Sequence, residues 1–256
     1  MKKLLFIPFF LGIVIGFNSC ITESGSRIYT YLFSPAVIYY EIDRGGIVMG
    51  TPDGYFAVPS LTDVFEGDCI YVNAYTVNLD DQPSNDYFTA INIEKENVER
   101  SDLEYTDSLE LGDYTLSITG AGAVISEFFN GIVFTAVSCK DKNPALRLIY
   151  NTEEPDKNGI KNFYLLARPS SANSDFEDVS TIYAFDMYNL IYTQGRDTTI
   201  FFEKNSEPSK PEPPSKYRYI RANLNYFSKL SDADEPEFKT VNKPNIPYII
   251  YIYKNN

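Results

Sequence analysis

Histidine and tryptophan are absent from the 256 residues, and cysteine occurs only three times. Without histidine, the chain cannot hold a Ser-His-Asp triad, a Cys-His dyad or a histidine zinc site. Basic residues are also few, since 22 lysines and arginines stand against 35 aspartates and glutamates. The net charge of −13 argues against nucleic acid as a partner, because phosphate binding needs basic patches. We expect a solvated acidic surface, no cofactor and no enzymatic activity.

The longest apolar run lies at the start of the chain. Two lysines precede fourteen mostly apolar residues at positions 4–17, fewer than the roughly 20 that a membrane-spanning helix needs. A charged start, an apolar core and a small residue before a cleavage point are typical of a secretory signal peptide. The ending Ser19-Cys20 resembles a lipobox, where a signal peptidase cuts before a lipid-modified cysteine. The alternative is an ordinary signal peptide followed by an incidental cysteine.

We therefore expect residues 1–19 to be a signal-peptide helix that is removed, and Cys20 to be the lipidation site. Removal of the two lysines leaves 20 basic and 35 acidic residues, a net charge of −15. Several acyl chains hold a protein on a membrane almost permanently. The sequence thus predicts a lipid-anchored protein of the cell envelope, in the outer membrane. It leaves open whether the protein faces the periplasm or the medium.

Strand-forming residues dominate the rest of the chain, which has 21 tyrosines and 18 phenylalanines. These aromatic residues favour β-strands, so we expect an all-β fold after a tether at residues 20–34. Five strand-like runs joined by turns predict a small OB-like barrel over residues 35–95. The runs are 35–42, 47–49, 55–59, 69–77 and 87–94.

A second set of strands is predicted beyond an acidic linker at 96–113, in which a short helical turn is expected at 101–104. Repeated strands separated by turn residues are typical of an immunoglobulin-like β-sandwich, here over residues 114–256. The Pro-rich segment 206–215 is interpreted as an extended loop within it. The strand-like runs are 114–118, 132–139, 145–151, 162–168, 181–186, 198–203, 217–226 and 248–253.

The order of these features resembles a known family. A lipoprotein signal is followed by the turn Asp53-Gly54, then by Gly67-Asp68 leading into an alternating strand, an acidic spacer and a sandwich. This resembles the NigD-like lipoproteins of Bacteroidetes, which pair an OB-like domain with a C-terminal β-sandwich. The resemblance implies that fold and a tie to bacteriocin production, but no molecular activity and no functional residues.

Tyr71 and Tyr75 are the candidate ligand-stacking residues. Strict alternation in the run 69–77 places both on one strand face, where they would stack on sugar rings or pack in a core. OB-type barrels bind oligosaccharides on a strand face. Cys69 and Cys139 are either buried free thiols or a disulfide, and no metal site is expected.

Acidic pairs are the remaining route to enzymatic or calcium chemistry. Asp80-Asp81, Glu153-Glu154 and the acids 232–235 are close in sequence, but each set lies in a polar loop, which favours solvated side chains over a glycosidase pair or a calcium site. Two functions remain. The first is a non-enzymatic envelope lipoprotein that binds an envelope protein through its sheet edges or through the face between its two predicted domains. The second is a glycan-binding surface lipoprotein, which exposed clustered aromatic residues would favour.

Overall fold

The computed structural model describes eight segments of the chain, which form an almost entirely β-strand structure. The chain divides into two compact units, one ending at Val98 and the other beginning at Glu99. The predicted signal peptide and Cys20 lie outside the described residues. No helix in the described part is long and apolar enough to cross a membrane. The described segments are 27–41, 46–80, 87–154, 158–170, 178–200, 215–231, 235–244 and 246–253.

The first unit is a closed five-stranded barrel. Its strands follow the order β1-β2-β3-β5-β4 around the barrel, and β4 pairs with β1 to close it. Only the β3–β5 pair is parallel among these pairings. This arrangement confirms the predicted OB-like barrel. The strands are β1 (Ile28–Glu41), β2 (Gly46–Thr51), β3 (Gly54–Ala57), β4 (Cys69–Asn78) and β5 (Phe88–Asn97).

The barrel begins earlier than the sequence predicts. Residues 28–34, expected to be tether, form the first half of β1 and pair along β4. Tyr31 from this half packs against the barrel core. The predicted tether at 20–34 is therefore wrong from Ile28 onward. The sequence of this half strand does not show an alternation of apolar and polar residues. Apolar residues occupy both of its faces, because Ile28 and Leu32 are exposed on the side opposite Tyr31.

Irregular pairing in β4 changes which side chains point into the barrel. Ile70 and Val72 are buried, but the next buried residues are Tyr75 and Val77, so the buried parity shifts within the strand. The β4–β5 register shifts on both sides of Ala74. Such bulges insert an extra residue and turn the following side chains to the other face.

The second unit has two sheets. In the larger sheet the order is β13-β14-β11-β10-β7, with β15 and β16 also paired to β14; in the smaller it is β6-β12-β9-β8. The strands are β6 (Glu99–Asp102), β7 (Glu104–Thr106), β8 (Ile118–Val124), β9 (Ile132–Cys139), β10 (Ala145–Asn151), β11 (Ile160–Arg168), β12 (Val179–Asp186), β13 (Arg196–Ile200), β14 (Ser215–Leu230), β15 (Pro236–Thr240) and β16 (Tyr248–Tyr253). A 3₁₀ turn spans Glu127–Phe129 and a short helix, α1, spans Tyr188–Gln194.

Side chains from both sheets meet in a single core, which confirms the predicted β-sandwich. Val133 and Phe185 come from the smaller sheet, whereas Leu165 and Leu224 come from the larger one. Three strand pairs are parallel: β6 with β12, β7 with β10, and β11 with β14. These pairs distinguish the sheets from the antiparallel immunoglobulin arrangement that the sequence suggests.

The predicted linker at 96–113 contains two strands instead of a helical turn. β6 joins the edge of the smaller sheet and β7 joins the edge of the larger one. Leu103, the residue between them, is buried in the shared core. The acidic side chains of Glu99, Asp102 and Glu104 are exposed, and charged side chains are common on edge strands, where they discourage pairing with another chain. The acidic composition of residues 96–113 is therefore compatible with the two strands, although it favoured a linker in the sequence analysis.

Candidate functional site

Tyr75 lies in the barrel core and not on a ligand surface. Its exposed fraction is 0%, and its ring stacks on Tyr31 with centroids 4.7 Å apart and planes inclined by 6°. Phe56 packs edge-on, at 5.4 Å. Tyr71 is half-buried on the other side of β4. The prediction that Tyr71 and Tyr75 share one face is wrong, because the irregular pairing around Ala74 lies between them.

The environment of the Tyr75 hydroxyl keeps it a neutral phenol. Burial raises the pKa of Tyr75 well above its usual value, and this effect outweighs the opposite influence of the Thr51 hydroxyl. The nearby Asp53 carboxylate raises the pKa of Tyr75 further. The pKa of Asp53 is itself raised by burial. Tyr75 therefore contributes its ring to the barrel core and carries a hydroxyl that stays protonated.

Asp80, from the first acidic pair, forms an ion pair with Arg27. Asp80 accepts hydrogen bonds from the backbone N–H of Arg27 at 2.7 Å and from its Nε at 2.9 Å. These hydrogen bonds from Arg27 lower the pKa of Asp80. The Arg27–Asp80 ion pair links the residue just before β1 to the segment just after β4. Asp81 lies outside the described residues, as do Asp232 and Asp234.

One member of the second acidic pair, Glu154, accepts hydrogen bonds at the end of a row that crosses the larger sheet. Asn242 donates to Asn223 and Asn223 donates to Asn162, each at 3.0 Å. Asn162 then donates to Glu154 at 2.7 Å. Tyr164 also donates to Glu154, at 2.6 Å. Each of these groups has a partner in the sheet, so the row stabilises the fold through satisfied polar contacts.

Both described cysteines are buried and neither forms a disulfide within the described residues, one of the two states that the sequence analysis allowed. Cys69 lies in the barrel and Cys139 in the sandwich. Burial raises the pKa of Cys139, which disfavours a reactive thiolate. In the described part of the chain, no group of three or more acidic, histidine or cysteine side chains could hold a metal ion.

The candidate binding surface is one that the sequence analysis missed. Helix α1 buries Leu190 and Ile191 against the sandwich and exposes Tyr188 and Tyr192 on its other side. The two tyrosine rings are parallel within 7°, with centroids 5.7 Å apart. The apolar spacing Met187, Leu190 and Ile191 indicates a helix, but the β-forming residues around it favoured a strand-and-turn interpretation.

Polar groups surround these two rings. Asn189 and Gln194 are exposed on α1, and the guanidinium carbon of Arg218, on β14, lies 5.4 Å from the Tyr192 ring centroid. The distance is within the range of a cation–π contact. We call Tyr188, Asn189, Tyr192 and Arg218 the α1 surface. It combines exposed aromatic rings with a neutral amide, a combination suited to a ligand that is apolar on one side and carries hydroxyl groups at its edge.

Helix geometry and hydrogen bonding hold the α1 surface in place. The Asp186 carboxylate accepts a 2.7 Å hydrogen bond from the backbone N–H of Tyr188, at the first turn of the helix. Thr193 donates to the backbone carbonyl of Asn189 at 2.7 Å. Tyr188 and Tyr192 are four residues apart, which places them on the same side of a helix. The two rings are therefore arranged by the backbone before any ligand binds.

Comparison with known proteins supports the fold. No family model matches the chain, and no curated protein matches its sequence. An uncharacterized protein from Parabacteroides merdae ATCC 43184 has a similar structure, with a TM-score of 0.59 and 15% identity over 87% of this chain and 98% of that one. A putative lipoprotein from Bacteroides fragilis NCTC 9343 is similar with a TM-score of 0.50 and 13% identity, over 89% and 98% of the two chains.

A NigD-like immunity protein from Bacteroides caccae ATCC 43185 is similar with a TM-score of 0.47 and 11% identity, over 85% of this chain and 95% of that one. At identities of 15% and 13%, the similarity to the P. merdae and B. fragilis structures establishes a shared fold and not a shared activity.

Proposed function

We propose that this chain is a non-enzymatic lipoprotein of the cell envelope, anchored through acylated Cys20, that binds a ligand with its folded units. The order of charged, apolar and small residues before Cys20 supports the anchor. The described strand β1 begins at Ile28, only eight residues after Cys20. A similar fold in a protein described as a putative lipoprotein is consistent with this assignment. The α1 surface is the observation that supports a binding role.

Metabolic labelling tests the anchor. The full chain would be produced in a bacterial host that processes lipoproteins, and supplied with an alkyne analogue of palmitate. We expect the label and membrane association to be lost in Cys20→Ser. Both should persist in Cys69→Ala and Cys139→Ala, which change the other two cysteines. Labelling that does not depend on Cys20 would contradict the proposal, and protease treatment of intact cells would identify the exposed face.

A saccharide is the second, more specific candidate, and the α1 surface favours it. The exposed rings of Tyr188 and Tyr192 offer apolar faces for the C–H side of a sugar ring. The exposed amide of Asn189 can donate to and accept from sugar hydroxyls. Because the rings are positioned by α1, binding requires little ordering of the protein, which favours affinity. This surface replaces Tyr71 and Tyr75 as the proposed stacking site.

A glycan array with the full chain, followed by titration of the best saccharide, tests this candidate. We expect Tyr188→Ala and Tyr192→Ala each to weaken binding about two- to tenfold, since one aromatic contact contributes about 0.5–1.5 kcal/mol. Tyr105→Ala is the matched control, because Tyr105 is an exposed tyrosine on β7. Saccharide binding unchanged by both α1 variants would contradict this site. Binding of an envelope protein, without saccharide binding, would favour the protein-partner function instead.

A further inference from the structure

An apolar area covers part of the outside of the barrel. Ile28, Leu32, Phe33 and Ile91 are all exposed, and Phe33 has 63% of its surface exposed. We call these four residues the barrel strip. They lie on β1 and β5, which are both neighbours of β4.

Strand pairing makes the barrel strip continuous. Leu32 is opposite Ala74, and Thr30 is opposite Thr76 on β4. Thr76 is in turn opposite Ile91 on β5. Tyr31 and Tyr75 point into the barrel from the intervening positions, so their sequence neighbours point outward. The strip therefore crosses three adjacent strands, with threonine and alanine between its larger side chains.

The backbone of Phe33 indicates that its exposure is not incidental. Its φ angle is +56°, a left-handed conformation that is strained for a bulky side chain. Strained backbone conformations concentrate at functional positions, where the surrounding structure imposes them. The ring of Phe33 faces solvent. Packing of the ring inside the barrel therefore does not offset the cost of the strained backbone.

We propose that the barrel strip rests on the surface of the lipid bilayer next to the acyl anchor; this inference rests on the proposed acylation of Cys20. Ile28 follows Cys20 by eight residues, and eight extended residues span at most about 28 Å. The start of β1 is therefore confined to the neighbourhood of the bilayer. An apolar surface held there gains by insertion at the level of the headgroups, as apolar faces of interfacial proteins do.

Charge indicates which lipid surface the strip fits. Glu94 is exposed and lies opposite Ala74, at the border of the strip, and the whole chain is acidic. Anionic headgroups repel such a protein, because the leaflet potential is negative. The contact we propose is therefore apolar and made with a zwitterionic lipid surface, and added anionic lipid should weaken it.

The absence of tryptophan makes a direct fluorescence test available. The acylated full chain carrying Phe33→Trp would be reconstituted in phosphatidylcholine vesicles, some with brominated acyl chains. Phe65→Trp is the matched control, because Phe65 is an exposed phenylalanine just before β4 starts. Position 33 lies opposite residues 72–74 of β4, roughly 10–17 Å along the strand from its first residue, Cys69, and Phe65 lies a further four residues before Cys69. Mass spectrometry of the same sample would establish acylation independently.

The proposal predicts blue-shifted emission for tryptophan at position 33, quenching by brominated lipid and protection from aqueous acrylamide. For tryptophan at position 65, the emission should show no blue shift and should be quenched by acrylamide. Equal exposure of the two positions on an acylated chain would overturn the docking proposal while leaving the anchor intact. Protection at position 33 without quenching by brominated lipid would also overturn it, and would identify the strip as a protein interface. An unacylated chain would instead contradict the proposed function.

Discussion

At the scale of single residues, the buried carboxylate of Asp141 gives the clearest pH prediction. Its exposed fraction is 1%, and it accepts hydrogen bonds from the Ser170 backbone at 2.7 Å, the Ser170 hydroxyl at 2.8 Å and the Asn143 backbone at 2.9 Å. Burial alone would raise the pKa of Asp141, but these hydrogen bonds reverse that effect and lower it. The charged form of Asp141 is thus the form that the fold stabilises.

A group whose pKa is lowered by folding adds stability above its unfolded pKa and loses that contribution as the pH falls. We therefore expect the free energy of unfolding to decrease as the pH falls below about 4, near the ordinary pKa of aspartate. Asp141→Asn should cost about 1–3 kcal/mol at neutral pH and weaken the decrease in acid. Urea unfolding at several pH values measures both effects. Asp113→Asn, at an exposed position, is the control; equal effects of the two substitutions would contradict the role of Asp141.

The sequence pattern predicts the presence of a strand better than it predicts which face of the strand each side chain occupies. The run 69–77 was correctly interpreted as a strand, and its aliphatic residues Ile70 and Val72 are buried. The sequence could not show the irregular pairing around Ala74, because that depends on how β4 pairs with β5. A shift of one residue exchanges the two faces of a strand. As a result of this shift, Tyr75 lies in the barrel core and Tyr71 lies on the outer face of β4.

At the scale of the strand, Leu103 distinguishes a core segment from a linker. It lies between β6 and β7 and is buried with residues of both sheets. Leu103→Ala should therefore lower the free energy of unfolding by about 2–5 kcal/mol, the usual range for a buried leucine. Leu230→Ala is the control, since Leu230 is exposed at the end of β14. A change within about 0.5 kcal/mol for Leu103→Ala, measured by urea unfolding, would restore the linker interpretation.

Strands with continuous apolar character were predicted well, and short or polar elements were not. The bounds of β9, β10 and β16 match the predicted runs. β6 and β7 were missed because their charged side chains face outward at sheet edges, with Arg100 paired to Asp186 and Arg147 paired to Glu104. Helix α1 was missed because tyrosine, isoleucine and threonine favour strands locally. Packing of the buried side of α1 overrides that preference, and the α1 surface was missed with it.

At the scale of the whole molecule, the two units each contain a core of their own. The barrel core includes Ile38, Ile70 and Val77, and the sandwich core includes Leu165 and Phe163. Independent cores are the feature that allows units of one chain to unfold separately. We therefore expect calorimetry of the chain to show two transitions.

Core substitutions assign the two transitions. Ile70→Ala removes a fully buried side chain from the barrel, and Leu165→Ala removes one from the sandwich. Each should cost about 2–5 kcal/mol in its own unit, which lowers the transition temperature of a barrel-sized unit by about 10 °C or more. Because Ile70 and Leu165 belong to different cores, each substitution should leave the other transition in place. A single transition that both substitutions lower equally would show that the barrel and the sandwich unfold as one cooperative structure.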